Sequence, residues 1–533
     1  WDNTLTYLKT LGDHNLVGLL GFSIEKYEYD GLSASGSNFP DDEVLTNLGS
    51  AATKNSIASS YNSNTLVSTF ARLEYKFKNR YLATFTFRAD GSSKFGPDKR
   101  WGYFPSGALA WIISEENFLK DYSHIVSYLK LRASIGKTGS QNLGNYDWRT
   151  LMGSATYNGA PGIKPSSLGN DILQWESQVQ KEIGLDYGFW DDRIRGSIGY
   201  YQKKVDNLLY SDPVPYSSSF SSVTQNIGSL KNKGFEFDVK VDIIKNTQKD
   251  LTWDFDFNVA RNITTLEKLN SEDEYFGGGA YQYFKIDVGG KTGILYGYKY
   301  GGRLIRTNEE LVALKTINPE TGQQQYYRDE NNYERPGDLY IMDLDGDGQI
   351  TADGDRTEIG NANPDFFGGF GTTLYWKGLM VNATFTYSVG ADRFYDEEKS
   401  SAGDMNVYNT SKNTLKSWTM NPGVDRGYPR AMYYGWGSNS IITNRYVHDA
   451  SFLRLSALNI SYRLPKRLFG SSIVDAIDLT FQATNLFTWT KYPGMDPQGN
   501  FSTSYSAFYN MGIDYSSYPS ARTYNVGIKI TLK

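Results

Sequence analysis

Apolar and polar residues alternate strictly over nine positions, apolar at both ends, in four stretches: Phe235 to Ile243, Leu251 to Val259, Val381 to Val389 and Tyr524 to Leu532. About one such stretch is expected by chance in a chain of this length and apolar fraction, so the two-residue period marks strands. In the second, Leu251, Trp253, Phe255, Phe257 and Val259 face one way, and Thr252, Asp254, Asp256 and Asn258 the other. One face is greasy and the other wet. Weaker versions of the pattern bring the total to roughly fifteen strands. They fall near residues 3–12, 15–30, 65–78, 80–90, 102–114, 127–137, 176–190, 193–210, 226–243, 251–264, 365–377, 379–392, 449–463, 476–488 and 521–533.

The connections alternate in length. Short ones at 12–15, 78–80, 190–193 and 376–378 follow odd strands, whereas long ones near 31–64, 138–175, 265–364, 393–448 and 489–520 follow most even strands. A soluble β-sandwich also alternates, but several of these strands run to ten residues or more. Short turns at one end and long loops at the other are the habit of outer-membrane barrels, periplasmic and extracellular respectively. The long loops are therefore expected at one end of a barrel, opposite the short turns. On the last strand, Tyr524, Val526, Ile528, Ile530 and Leu532 are expected to meet lipid, while Asn525, Gly527, Lys529 and Thr531 face the lumen.

Composition narrows the class. Aromatics make up 15% of the 533 residues although hydrophobic residues reach only 39%, so the apolar material is concentrated in rings. No run reaches the eighteen or so apolar residues of a membrane helix. Membrane residence would therefore require a closed barrel, which satisfies its backbone polar groups in lipid. The formal net charge of −5 comes with no basic cluster, which argues against nucleic acid as a partner. Cysteine is absent, excluding disulfides and thiolate metal sites. The chain opens on strand-like residues, Trp1 to Tyr7, which is read as an N-terminal truncation with no export signal in view.

Between Phe87 and Trp111 the sequence carries RADGSSKFG and WGYFPS, followed by WIISEENFL. This is read as a strand ending in Arg88, a reversal on Asp90-Gly91-Ser92-Ser93, and a return strand through Phe104-Pro105-Ser106. Trp101, Tyr103 and Phe104 are expected to form an aromatic cluster at a membrane interface. Tyr128 to Gly139 (YLKLRASIGKTG), Trp175-Glu176 with Gly184-Leu185-Asp186, and Tyr200 to Lys204 come next. Asn226-Ile227-Gly228, Asn232 to Glu236, and Arg454-Leu455 with Asn459 complete the series. Together and in order these motifs resemble the SusC/RagA family of TonB-dependent outer-membrane transporters over essentially the whole chain.

The resemblance implies an all-β fold: a partial transmembrane antiparallel β-barrel with about fifteen of some twenty-two strands. It further implies import of a large nutrient, an oligosaccharide or peptide, energised through TonB and assisted by a SusD-like surface lipoprotein. The organism expected is a Gram-negative, Bacteroidota-like cell. A plug domain and a TonB-contacting segment are expected to lie in missing N-terminal sequence, so the fragment alone is expected to fail at gated import. Relatives commonly end on an aromatic residue, whereas this chain ends Leu532-Lys533. A passive porin or adhesin barrel is the alternative, and a soluble carbohydrate-binding β protein stands behind it.

The segment with most chemical character runs from Pro336 through Asp343-Leu344-Asp345-Gly346-Asp347-Gly348-Gln349-Ile350. Carboxylates at positions 1, 3 and 5, a Gly at 6 and a carbonyl at 7 suit Ca²⁺. Position 12 is Gly354, and the resemblance places the last ligand at Asp355, before Arg356-Thr357, with a one-residue insertion. The candidate ligands are thus Asp343, Asp345, Asp347, the carbonyl of Gln349, and Asp355; the alternative is an acidic loop held by its own Asx turns. Gly290-Lys291-Thr292 lacks the first glycine of a phosphate loop, since Lys285 stands there, which excludes a nucleotide site of that kind. His14, His124 and His448 form neither a zinc spacing nor a triad, and His448-Asp449 reads as a surface pair. No catalytic residue is assigned. Tyr433, Tyr434 and Trp436, and equally Tyr281, Tyr283, Tyr296, Tyr298 and Tyr300, could stack on sugars or pack their own loops, and packing is the better reading.

Overall fold

The computed structural model describes residues 1–533 except 270–273, 278–283, 315, 318–323, 326–334, 405–408, 420–426, 432–438, 440, 469, 471–472, 500–511 and 516. Fifteen strands form one sheet in which neighbours follow chain order. They are β1 (Asp2–Leu11), β2 (His14–Ser37), β3 (Thr53–Phe77), β4 (Tyr81–Ser92), β5 (Trp101–Ile112), β6 (Val126–Ser140), β7 (Glu176–Phe189) and β8 (Ile194–Asp206). There follow β9 (Ser229–Asn246), β10 (Leu251–Lys268), β11 (Phe366–Trp376), β12 (Leu379–Val389), β13 (Phe452–Arg463), β14 (Val474–Thr490) and β15 (Thr523–Leu532). Every expected strand is present. Among the described residues no helix is long and apolar enough to cross a membrane.

The chain divides into two compact units. The first holds 1–123, 128–186 and 201–231, and the second 124–127, 187–200 and 232–533. In the first, β1 to β6 pair antiparallel in sequence. Its connections must then alternate ends: 12–13, 78–80 and 113–125 at one, 38–52 and 93–100 at the other. In the second, β10 to β15 pair antiparallel. The connections 377–378 and 464–473 share one end, and 269–365, 390–451 and 491–522 share the opposite one. In the second unit the long loops thus face away from the short turns; in the first, 113–125 lies at the end of the short turns and is longer than 93–100 at the opposite end.

Faces follow the period of two. On β15, Val526, Ile528 and Ile530 stand level with Phe481, Leu479 and Ile477 of β14 and share one exposed apolar face, on a strand exposed along nearly all its length. Lys529 lies on the other face opposite Asp478, which accepts from Arg463 at 2.7 Å. A row of rings crosses the lipid face of the first unit near its short turns. His14 to Phe77, Phe77 to Tyr81 and Tyr81 to Trp111 are spaced at 4.8, 6.3 and 6.5 Å. Glu116 holds the row by accepting from Tyr81 at 2.5 Å, Trp111 at 3.2 Å and Arg80 at 3.0 Å. Such an aromatic girdle marks a membrane interface.

Three expectations are corrected. β4 does not end at Arg88 but continues to Ser92, because Arg88 Nε donates to both Asp90 oxygens (2.7 and 2.8 Å) and its Nη2 to Ser68 Oγ (2.7 Å). These bonds join β4 to β3 on the inner face, so Asp90-Gly91-Ser92 remains in the ladder. Phe104 is no interface ring: it is buried with Phe95, Leu173 and Trp175, while Trp101 and Tyr103 are exposed. The segment 31–64 is mostly strand, since β2 and β3 pair from His14↔Phe77 out to Ser37↔Thr53. Wet on both faces, that ribbon shows no alternation, although its backbone pairing is regular.

Candidate functional site

In the second unit the three long loops fold on one another. Phe284, Leu295, Leu304, Leu339, Ile341 and Ile350 from 269–365 share a buried core with Phe394, Ile442 and Tyr446 from 390–451 and Ile513 from 491–522. Short strands tie the loops: 300–304 pairs with 339–341, and Asp392–Tyr395 lies antiparallel to Val447–Asp449 and parallel to Ile513–Asp514. Loops of tens of residues would ordinarily be mobile. A shared apolar core turns these into a platform.

Charges inside the platform are paired. Asp338 is fully buried. It accepts from Arg430 Nε at 2.7 Å, Asn439 Nδ2 at 2.8 Å and the Arg335 N–H at 2.7 Å. Burial raises its carboxyl above the usual aspartate range, opposed by the Arg430 guanidinium. The preceding Gly337 has φ +97°, and a side chain there would strike the Trp418 ring. The sequence displays Pro336-Gly337-Asp338, but its side-chain partners lie about a hundred residues on, and no local pattern announces them. Arg454 on β13 is likewise buried, donating to Asp496 (2.5 Å), Gln498 (2.7 Å) and Thr488 (3.0 Å). It anchors the 491–522 loop to the wall.

A third cluster joins two of the loops, 390–451 and 491–522. Tyr492 donates to Asp514 at 2.8 Å, and its ring lies 5.7 Å from that of Tyr395. Burial pushes the Tyr395 hydroxyl up to about 12 and that of Tyr492 higher still. Beside them, Glu398 pairs with His448 at 2.7 Å. His448 is therefore bound to Glu398 rather than to Asp449, which accepts from Ser451 instead.

The acidic loop sits on this platform. Carboxylate oxygens of Asp343, Asp345 and Asp355 all lie within 4.8 Å of one another. Asp343 accepts from the N–H groups of Gly346 (2.6 Å) and Gly348 (2.7 Å), and Asp355 from those of Leu344 and Thr351 (2.7 Å each). Desolvation raises the Asp355 carboxyl, and the charges of Asp345 and Asp343 raise it further. Asp347 stands outside the converging group: its Oδ1 accepts the Gln349 N–H at 2.7 Å in an Asx turn. A side chain at Gly354 would collide with Asp345 Oδ2. A side chain at position 12 would have to displace the Asp345 carboxylate, and Asp355, next in the chain, supplies the carboxylate that converges with those of Asp343 and Asp345. Three hard oxygen donors around one point suit a Ca²⁺-sized cation.

Among the ambiguous aromatics, the Arg356 guanidinium lies 4.6 Å from the Tyr296 ring and 6.0 Å from that of Tyr298, and the Arg445 guanidinium 5.3 Å from Tyr300. They pack their own platform. Tyr281, Tyr283, Tyr433, Tyr434 and Trp436 lie outside the described residues.

An antiparallel sheet in chain order, lipid-facing on one side, girdled by rings and topped by long structured loops, is the wall of an outer-membrane β-barrel. The chain belongs to the family of TonB-dependent receptor-like β-barrels, whose model matches residues 1–486. It is 34% identical to TonB-dependent receptor P3 of Formosa agariphila, over 99% of this chain and 52% of that protein. It is 31% identical to TonB-dependent receptor SusC of Bacteroides thetaiotaomicron, over 98% and 49%. The structure of the RagAB peptide transporter superposes with a TM-score of 0.80 at 26% identity, covering 99% of this chain and 55% of that one. The chain spans about half the length of the curated relatives it matches.

Proposed function

We propose that this chain forms barrel wall and substrate-side loops of a transporter that imports a large nutrient, an oligosaccharide or peptide, with energy delivered through TonB. The observation that carries the reading is the packed platform of three loops, opposite the short turns of its unit, in a chain alike over nearly its whole length to SusC and RagAB. A rigid outer surface suits a receptor that docks a capture protein, here a SusD-like lipoprotein. The reading requires a plug in the lumen and a TonB-contacting segment in the whole protein. Transport, not catalysis, is the activity proposed.

Uptake of fluorescently labelled oligosaccharides and peptides by cells carrying the full-length protein tests this. Entry of one class is expected to cease when the proton-motive force is dissipated or TonB is deleted. Entry that persists would identify a porin.

The acidic loop supports a second, local proposal: Asp343, Asp345 and Asp355 hold a Ca²⁺ ion that braces the platform. Its charge would offset the mutual repulsion of the three carboxylates, and the alternative is a loop held by its own Asx turns. Calcium-dependent protection of the 343–355 amides from hydrogen exchange separates the two.

A further inference from the structure

The lipid-facing side of β3 to β6 is not flush. A concavity of about 510 Å³ opens there, floored by small residues on neighbouring strands: Ala83 on β4, Gly107 on β5 and Ala133 on β6. Leu73, Phe85, Leu109 and Ile135 stand around it, all exposed. Some glycines of this unit answer to a neighbour, since a side chain at Gly21 would strike the Phe70 ring and one at Gly102 the Phe104 ring. Gly107 answers to none. A Cβ there comes no closer than 3.9 Å to any atom, the Thr84 carbonyl oxygen. The protein's packing leaves this space open, so whatever fills it comes from outside.

Position indicates what that is. The lining residues Leu73 and Tyr75 precede the short turn 78–80, and Ala83 and Phe85 follow it. At about 3.3 Å per residue the concavity lies roughly 10–20 Å from that turn along the strands, in the periplasmic half of an apolar band about 25 Å tall. Its mouth is the ring row of His14, Phe77, Tyr81 and Trp111. Beyond the rings lie Lys78, whose Nζ sits 5.2 Å from the Phe77 ring, and Arg80, paired with Glu116. Asp13 completes the rim, its carbonyl accepting the Lys78 N–H. Apolar depth, an interfacial ring row and a rim of both charge signs match a zwitterionic phospholipid.

We propose that this concavity seats an acyl chain of a glycerophospholipid of the periplasmic leaflet, with its phosphate beside Lys78 and Arg80. The proposal rests on the placement of the barrel in the outer membrane and not on any transport activity. The seat would fix one lipid to β3–β6 while its neighbours exchange.

The test is native mass spectrometry of the full-length protein purified from outer membranes, with dioleoyl phosphatidylethanolamine titrated into the detergent. Gly107→Phe fills the floor, and Gly107→Leu replaces it should the larger ring impair folding. Leu5→Phe changes an exposed residue of the same face outside the concavity, and heat-modifiable migration confirms that each variant is folded. The expected result is a single retained phospholipid on wild type and Leu5→Phe. The Gly107 variant should hold it about tenfold more weakly, the effect of withdrawing about two methylenes from apolar contact. Equal retention by the Gly107 variant would overturn the proposal. So would a preference for lipid A, which belongs to the other leaflet. A dimer of wild type lost in the variant would show the surface to be an interface between copies.

Discussion

Asp338 is fully buried, so its state depends on Arg430 and Asn439. Removing one partner of a buried pair costs about 3–5 kcal/mol, because the remaining charge is stranded. Arg430→Ala is therefore expected to loosen the 337–341 segment by that order. Arg303→Ala, which removes a partly exposed partner of Glu310, should cost less than about 1 kcal/mol. Hydrogen exchange of the platform amides reads both, and equal effects would contradict the hub role of Asp338. The acidic loop gives a finer test. Calcium at about a hundred times its dissociation constant adds about 2.7 kcal/mol to the state that binds it. Asp345→Ala should abolish that gain, whereas Asp347→Ala should keep most of it, because Asp347 stands outside the converging group. Melting in calcium against chelator measures the difference, and no calcium dependence in wild type would remove the ion from the account. The spacing of the acidic residues was readable in the sequence. Which carboxylate turns away was not, since the folded course of the loop decides it.

At the scale of the element, β15 shows what alternation can specify. Its apolar set faces lipid, and Lys529 lies opposite Asp478 across the ladder, as the period of two requires. Val526→Arg would place a charge in hydrocarbon, at a cost of about 2–4 kcal/mol near mid-membrane. Asn525→Arg on the other face should be nearly neutral. Urea titration of folding into vesicles distinguishes them, and similar losses would mean the faces are assigned the wrong way round. The ribbon of β2 and β3 shows where alternation is silent. Beyond the last pair with β4, Leu66↔Ser92, no other strand among the described residues joins it. With both faces wet, nothing selects apolar residues at every second position, so a Ser- and Asn-rich strand reads as loop. Replacing residues 28–61 by a tight turn should leave heat-modifiable barrel migration unchanged. Its loss would show that the ribbon does more than project.

For the molecule as a whole, wall and platform were unequally legible. The wall is built from local periodicity and paired neighbours, so all fifteen strands could be placed from the chain. The platform is built from contacts between loops far apart in sequence, such as Leu339 N–H to Asn439 Oδ1 at 2.9 Å, and no window of residues encodes those. The family motifs had a similar division: RADGSS was recognisable as a string, but the Arg88, Asp90 and Ser68 cluster that makes it a strand rather than a turn required the ladder. The central claim is that each unit sets its long loops outside the cell and its short turns in the periplasm. Because the chain has no cysteine, single cysteines labelled on intact cells with a membrane-impermeant maleimide test it directly. Tyr157→Cys and Leu344→Cys, both at exposed loop positions, are expected to label at once. Asp13→Cys and Lys466→Cys, in the short connections, are expected to label only after the outer membrane is permeabilised. Prompt labelling of Asp13→Cys or Lys466→Cys, or protection of both loop positions, would contradict it.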